Sequence, residues 1–470
     1  MTFAITSLGL TSIAVKSIKL NSSNIKLQVG KTSTLKVTFT PANATNKKLT
    51  YISANKKIAT VDKNGIIKGI KAGKTVITVN SSSNFKVVAK CNVTISQVAE
   101  PVKLTVWCEY QPGTIQTLNE VFKKLLPDIA VDVQRKEQLS DAMKLVGTDP
   151  AGAPDLFCYA HDKLGLWVTL GIIDPLDEYF PADKQADFVP MTLDAVKFND
   201  KIYAMPMYYE TLLFMYNKKL LDKAPATTDE LLAMMKEKTK DGNYGFVEMY
   251  SSEYFAACWY NAFGGFMVND KSEPGLNSQG FIDAMEYHKQ FLPYLDKMGD
   301  WGTTCALFLA GKAASTINGP WFTTDVAKAG IELGVAPLPV VSSINKPLAP
   351  FSGVQGVHLV KVGNNKEAAI KVIKFLQQKD VSEALGMVVK VAPANLKAYD
   401  NEIIKNDPII PVLKAAAAAA PPMAKVPAMD VMWTVTGNAL VAITRNNADI
   451  KATLDAAQAD AVALIAAMGK

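Results

Sequence analysis

Three stretches of this sequence carry side chains placed to meet a ligand. A short apolar strand, Ala313 to Ile317, runs through Asn318 into Gly319-Pro320-Trp321-Phe322, a turn that throws a tryptophan and a phenylalanine outward. Thr323-Thr324-Asp325 follow with N-cap chemistry for a helix. Strand, glycine turn and helix start is where open α/β sheets place their ligands. Glu210 sits between two apolar runs, where an unpaired carboxylate is costly, so a ligand or a lysine must satisfy it. Tyr159 ends a third apolar run just before His161-Asp162; Asp162 either caps the next helix or faces the ligand. Aromatic planes beside isolated carboxylates are groups for holding a molecule.

Groups for transforming one are missing. The three histidines, His161, His288 and His358, have no metal-ligand spacing. The cysteines Cys91, Cys108, Cys158, Cys258 and Cys305 form no C-x-x-C pair, and five is odd, so at least one is free. Cys108 and Cys158 each end a strand and could be neighbours. No G-x-S-x-G elbow occurs. Gly69-Ile-Lys-Ala-Gly73-Lys74-Thr75 imitates a phosphate-binding loop, but three residues separate its glycines where four are required, and it joins two strands. Glycosidases need two carboxyls at a set separation. Asp162 and Glu210 could face one cleft, yet nothing in the sequence marks either as having a raised pKa. The expectation is a binding protein, with no cofactor and no metal.

The elements that position these residues fall into two unlike parts. At 470 residues with 20% charged and 49% hydrophobic side chains, the chain is globular and too long for one core. It has no apolar run long enough to span a membrane. Residues 1–100 hold fifteen lysines, no arginine and two acids (Asp62, Glu100), a balance of +13, against −7 for the other 370 residues. That excess suits an anionic cell surface. Without arginine, a recognition helix or stacking aromatics, it does not suit nucleic acid. The strands expected here are 25–29, 33–39, 49–52, 59–61, 66–67, 75–79 and 85–88, short, β-branched and separated by Gly, Asn, Asp and Pro, as in a sandwich. From Lys103 onward, strands alternate with amphipathic helices, predicting right-handed βαβ units on mostly parallel sheets. The division expected is a signal remnant at 1–14, a β-domain at 15–97, a linker at 98–102 and a two-lobed domain at 103–470. Lobe 1 takes about 103–208 and 350–408, lobe 2 about 213–345 and 409–470.

Both parts resemble known families. Leu27-Gln-Val-Gly-Lys31, Thr40-Pro-Ala-Asn43, Ser53 to Asp62, Asn64-Gly65 and Gly69 to Thr78 resemble the bacterial immunoglobulin-like domain, group 2. That resemblance implies an extracellular location. Pro154-Asp155, Tyr159-Ala-His-Asp162, Ala204-Met-Pro206, Glu210, Tyr216-Asn-Lys218, Ile317-Asn-Gly-Pro-Trp321, Ala394 to Tyr399 and Val426-Pro-Ala-Met429 with Trp433 resemble, in order, an extracellular solute-binding protein of an ABC importer, of the maltose/maltodextrin-binding type. The fold implied is an all-β immunoglobulin-like sandwich followed by a two-lobed α/β periplasmic-binding-protein fold (type II), with a hinge and an inter-lobe cleft.

The same resemblance implies a maltooligosaccharide or related α-glucan as ligand and ABC permease subunits as partners, at the surface of a Gram-positive cell. The basic first domain could lie against the cell wall. A glucan offers flat C–H faces for aromatic rings and a belt of hydroxyls for carboxylates. The stacking positions fall on Tyr159, Tyr254, Trp321 and Trp433, the polar contacts on Asp162, Lys163 and Glu210, and an apolar contact on Met423. Three positions depart from the family pattern. An acid–lysine pair after the first strand is here near Glu109, Tyr110 and Gln111; a carboxylate before Tyr254 is Ser252, with Glu253 one residue off; an arginine one turn after the last tryptophan is Gly437. The departures leave open the sugar's length and linkage. Two other readings are a surface module that holds starch without transport, and a binder of a different oligosaccharide.

Overall fold

The computed structural model describes residues 12–97, 101–110 and 112–468. Most of the expected signal remnant, residues 98–100 of the expected linker and Gln111 lie outside the described residues. The chain divides into two compact units, 1–100 and 101–470.

In the first unit, Asn24–Gln28, Asn84–Ser96, Gly73–Ser81 and Leu49–Ser53 form a four-stranded sheet, with Thr32–Thr34, Ile66–Gly69 and Ala59–Val61 as a three-stranded one and Ser17–Leu20 with Val37–Thr40 as a pair. The expected strand 33–39 is broken at Leu35-Lys36, where the chain passes from pairing with Ile66–Gly69 to pairing with Ser17–Leu20. Ile25, Ile67, Ile77, Val79, Cys91, Val93 and Ile95 fill the core from alternating positions. Gly69 ends one strand and Gly73 begins the next, so the glycine-rich word spans a β-connection.

The second unit holds two lobes, each built on one sheet. The first lobe's sheet runs Ile129–Arg135, Val102–Cys108, Leu156–Ala160, Gly353–Val360, Ala204–Glu210, Ala392–Pro393. The second lobe's runs Tyr244–Val247, Ala313–Asn318, Leu213–Asn217, Leu333–Ala336. Both are mixed, with more antiparallel pairs than the mostly parallel sheets expected. Gly353–Val360 runs antiparallel to both its neighbours, and Leu213–Asn217 antiparallel to Ala313–Asn318 and Leu333–Ala336. The reason is connectivity: these strands arrive from the other lobe instead of through a crossover helix in their own. The helix Ile410–Ala419 also departs from expectation, since Leu413 and Ala417 are buried in the first lobe's core and not in the second's. The second lobe resumes with Met429–Thr444 and Ile450–Met468, whose Met432, Leu440, Leu454 and Ala461 join its core. All five cysteines are buried and free, Cys108 and Cys158 included. No helix among the described residues is long and apolar enough to cross a membrane.

Three segments cross between the lobes: at Thr211, at Phe351-Ser352 and at Ala420-Pro421. Buried hydroxyls tie them together. Thr211 Oγ1 donates to the Phe351 carbonyl at 2.8 Å, and Ser352 donates through its backbone N–H to Pro421 at 2.8 Å and through Oγ to Ala420 at 3.2 Å. His161 adds a fourth tie. Its Nδ1 accepts from the Val354 N–H at 3.1 Å, which leaves Nε2–H to donate to the Met423 carbonyl at 3.1 Å. Burial pushes the His161 imidazole down to about 4, so it serves here as a neutral ring.

Trp167 is fully buried behind the strand that carries Tyr159. It meets Phe157 edge-on at 4.7 Å and Tyr159 at 5.2 Å. Trp167→Ala leaves a cavity the strand cannot fill, and we expect it to cost about 3–5 kcal/mol in denaturant unfolding followed by circular dichroism. An unchanged midpoint would show that the site strand is held some other way.

Candidate functional site

A cavity of about 690 Å³ lies between the lobes of the second unit. Its walls include Glu109, Tyr110, Tyr159, Asp162, Lys163, Glu210, Glu253, Tyr254, Trp321, Met423 and Trp433, all expected at the site from the sequence; Phe322 is not among them. Its floor is the set of crossings: Glu210 precedes Thr211, Gly353 follows Ser352, and Met423 follows the Pro421-Pro422 pair.

The second lobe supplies the aromatic wall. Tyr254 stands in the middle, 6.2 Å from Trp321 and 6.4 Å from both Trp433 and Phe351, ring centre to ring centre. Trp321 follows the strand Ala313–Asn318 on the turn Pro320–Phe322. Gly319 is required there, because its missing side chain is where the indole lies. A Cβ at 319 would come within 2.2–2.4 Å of the six-membered ring. Trp321 is half-buried and faces the cavity, but Phe322, expected in the open, is 1% exposed and packs on Phe308 and Trp301. Nor do the threonines act as expected: Thr323 Oγ1 bonds back to the Pro320 carbonyl at 2.7 Å.

The first lobe supplies the polar wall. Asp162 does not cap the following turn; its Oδ2 accepts from the Trp433 indole N–H at 3.1 Å, across the cleft. Lys163 reaches Asp430 at 2.6 Å, and Lys144 reaches the other oxygen of Asp430 at 2.8 Å. Among the described residues, neither a lysine nor an arginine forms an ion pair with Glu210. Its Oε1 accepts from the Gln355 amide at 2.9 Å. Glu109 Oε1 accepts from the Leu139 N–H at 2.8 Å and so closes the start of helix Leu139–Val146. Tyr110 lies 6.3 Å from Tyr208.

These partners divide the carboxyls in two. Burial pushes Glu210 up to about 7, with the Gln355 amide opposing. Burial likewise pushes Asp162 up to about 6, against Lys163 and the Trp433 indole. The sequence carried no mark of these shifts, because they come from desolvation. Asp430 is also partly desolvated, but hydrogen bonds from Lys144 and Lys163 hold it below the usual carboxylate range. The cleft therefore holds two acceptors without a dedicated cation and gives its two lysines to a third carboxylate. Sequence reasoning missed Gln355, Lys144, Asp430 and Trp301. Asp430 could have been found from its spacing, three residues before Trp433 on one helix face. Trp301 could have been found from Asp300, which caps its helix through the Thr303 N–H at 2.8 Å.

Residues 117–412 match the family described as Bacterial extracellular solute-binding protein, and residues 14–108 match the Bacterial Ig-like domain (group 2). A maltotriose-binding protein of Pyrococcus abyssi is 34% identical over 366 residues, 75% of this chain and 80% of that protein. A galactooligosaccharide-binding protein of Bacillus subtilis is 28% identical over 353 residues, 70% of this chain and 82% of the relative. Among solved structures, the maltose/maltodextrin-binding domain MalE from Bdellovibrio bacteriovorus bound to maltotriose superposes with a TM-score of 0.72 at 27% identity, covering 77% of this chain and 100% of that one. With that much of its length matched, this chain belongs to the bacterial extracellular solute-binding proteins, a family of binders and not of enzymes, and it carries a group 2 bacterial Ig-like domain ahead of the two lobes.

Proposed function

We propose that the inter-lobe cleft binds a maltodextrin-type α-1,4-glucan oligosaccharide for delivery to an ABC importer. The observation that carries this reading is the pairing of an aromatic wall (Tyr254, Trp321, Trp433) with buried carboxyls that have no dedicated cation (Asp162, Glu210). Rings take the sugar's C–H faces and gain from burying apolar area. Carboxylates take its hydroxyls through short, orienting hydrogen bonds. A maltotriose-binding relative and a maltotriose-bound neighbour support the choice of sugar. The galactooligosaccharide-binding relative supports a second reading, in which the same cleft takes a different oligosaccharide. In either case the ligand docks on one lobe, the other closes over it about the three crossings, and the closed form is what the permease reads. The lysine-rich first unit, at +13, faces the anionic cell surface in this reading.

Isothermal calorimetry with maltotriose tests the assignment. A dissociation constant on the order of micromolar, about −8 kcal/mol, is expected. Trp321→Ala should lose on the order of 2 kcal/mol, as truncated aromatic anchors do; an unchanged affinity would remove Trp321 from the site.

The raised carboxyls give a pH test with two opposite signs. In the ligand-free protein, Asp162 and Glu210 bind protons more tightly than in the unfolded chain, where such groups titrate near ~4. Their contribution to stability is fully present below about pH 4 and is lost as pH rises through about 6 and about 7. Binding runs the other way, because an ionised carboxylate is the stronger acceptor. Affinity for maltotriose should rise from about pH 5 to about pH 8, and Glu210→Gln should flatten the upper part of that rise. A flat profile in the unsubstituted protein would mean that neither carboxylate meets the sugar.

A further inference from the structure

Helix Met429–Thr444 carries Trp433 and, one turn on, Gly437 on the same face. Gly437 lies inside this 16-residue helix, and its backbone is ordinary helix, not a positive-φ turn. Glycine is the poorest helix former after proline, so the fold itself does not ask for it there. What the glycine provides is room. A Cβ at 437 would meet a single group, the Glu253 carboxylate, 3.0 Å from Oε2 and 3.7 Å from Cδ. The nearer distance is tighter than ordinary van der Waals contact, so a Cβ at 437 makes that carboxylate give by a few tenths of an ångström.

Glu253 is the first residue of helix Glu253–Ala262, immediately before Tyr254, and it lines the cavity. It is half-buried, and burial raises its carboxyl, with its own backbone N–H and then Lys163 opposing. Lys163 itself is engaged by Asp430 at 2.6 Å. The carboxylate is therefore an acceptor with spare capacity, set beside the Tyr254 and Trp433 rings, whose centres are 6.4 Å apart.

We infer that Gly437 is a positioning residue for the ligand: it keeps open the space from which Glu253 presents its carboxylate to a sugar hydroxyl at the edge of the Tyr254–Trp433 platform. The inference rests on the oligosaccharide reading and adds to it a specificity determinant. A sugar that stacks on this platform must offer a hydroxyl donor beside it. The two residues work as one unit, because the Glu253 carboxylate keeps its observed place only while position 437 is bare.

The test is a double-mutant cycle on the full chain, with maltotriose affinity by calorimetry and ligand-free melting measured in parallel. Gly437→Ala should weaken binding about tenfold, the size of one hydrogen bond to a charged group. Its ligand-free melting temperature should hold or rise, since alanine is the better helix former. In a Glu253→Ala background, where nothing remains to be displaced, Gly437→Ala should cost no further affinity. Full affinity in Gly437→Ala, or the same loss in both backgrounds, overturns the inference while leaving the sugar reading intact. No maltotriose binding by the unsubstituted protein overturns the reading, and this inference with it.

Discussion

Three chain crossings between the lobes are tied to one another by two buried hydroxyl side chains, Thr211 and Ser352. Such bonds, made away from water, are strong and costly to break, so they fix where each crossing lies relative to the others. The residues next along each crossing, Glu210, Gly353 and Met423, form the cavity floor. Holding the hinge together therefore also holds the floor of the site in register. His161 extends the constraint to the polar wall: one ring, kept neutral by burial, ties the turn that bears Asp162 to two of the crossings.

Across the cleft, charge is allotted in a way that suits a neutral, hydroxyl-rich ligand. Lys144 and Lys163 of the first lobe converge on Asp430 of the second, and three residues further along that helix Trp433 donates to Asp162. One helical turn thus makes all three of these contacts. Because the lysines are spent on Asp430, Asp162 and Glu210 are left with uncharged donors, an indole N–H and an amide. Desolvation raises their pKa values, and ligand hydroxyls that replace lost water would draw them back down. An enzyme that cleaves glycosides uses raised carboxyls as acids. In a family of binders, the proposed reading takes the same shifts as those of acceptors for sugar hydroxyls.

The broad architecture was legible because its signals are local. Alternating β-branched runs marked the first unit, and strands alternating with amphipathic helices marked the second. What the sequence hid was anything set by connection through space. Gly353–Val360 reads as one more strand, and its antiparallel place between two others follows from its arrival across the hinge. Ile410–Ala419 reads as the start of the last helical run, but the Pro421-Pro422 crossing after it puts it in the other lobe. The aromatic positions of the site were readable from the Asn-Gly-Pro-Trp turn and from the family likeness. Gln355, Lys144 and Asp430 carry no local mark, because each is defined by a partner that is distant in the chain. Phe322 shows the limit from the other side: a tryptophan and a phenylalanine adjacent on one turn face opposite ways, one to the cleft and one to the core.

The central claim is that the cleft selects an α-1,4-glucan by stacking on its aromatic wall. Since Trp301, Trp321 and Trp433 line the cavity, tryptophan fluorescence reports its occupation directly. The decisive measurement is a parallel titration of the full chain with maltotriose, β-cyclodextrin, cellotriose and xylotriose. The account predicts a saturable shift with the two α-1,4 sugars and none with the β-linked pair. Silence from the α-glucans, or a saturable response to cellotriose or xylotriose in their place, would contradict it and leave the fold and family standing without the sugar.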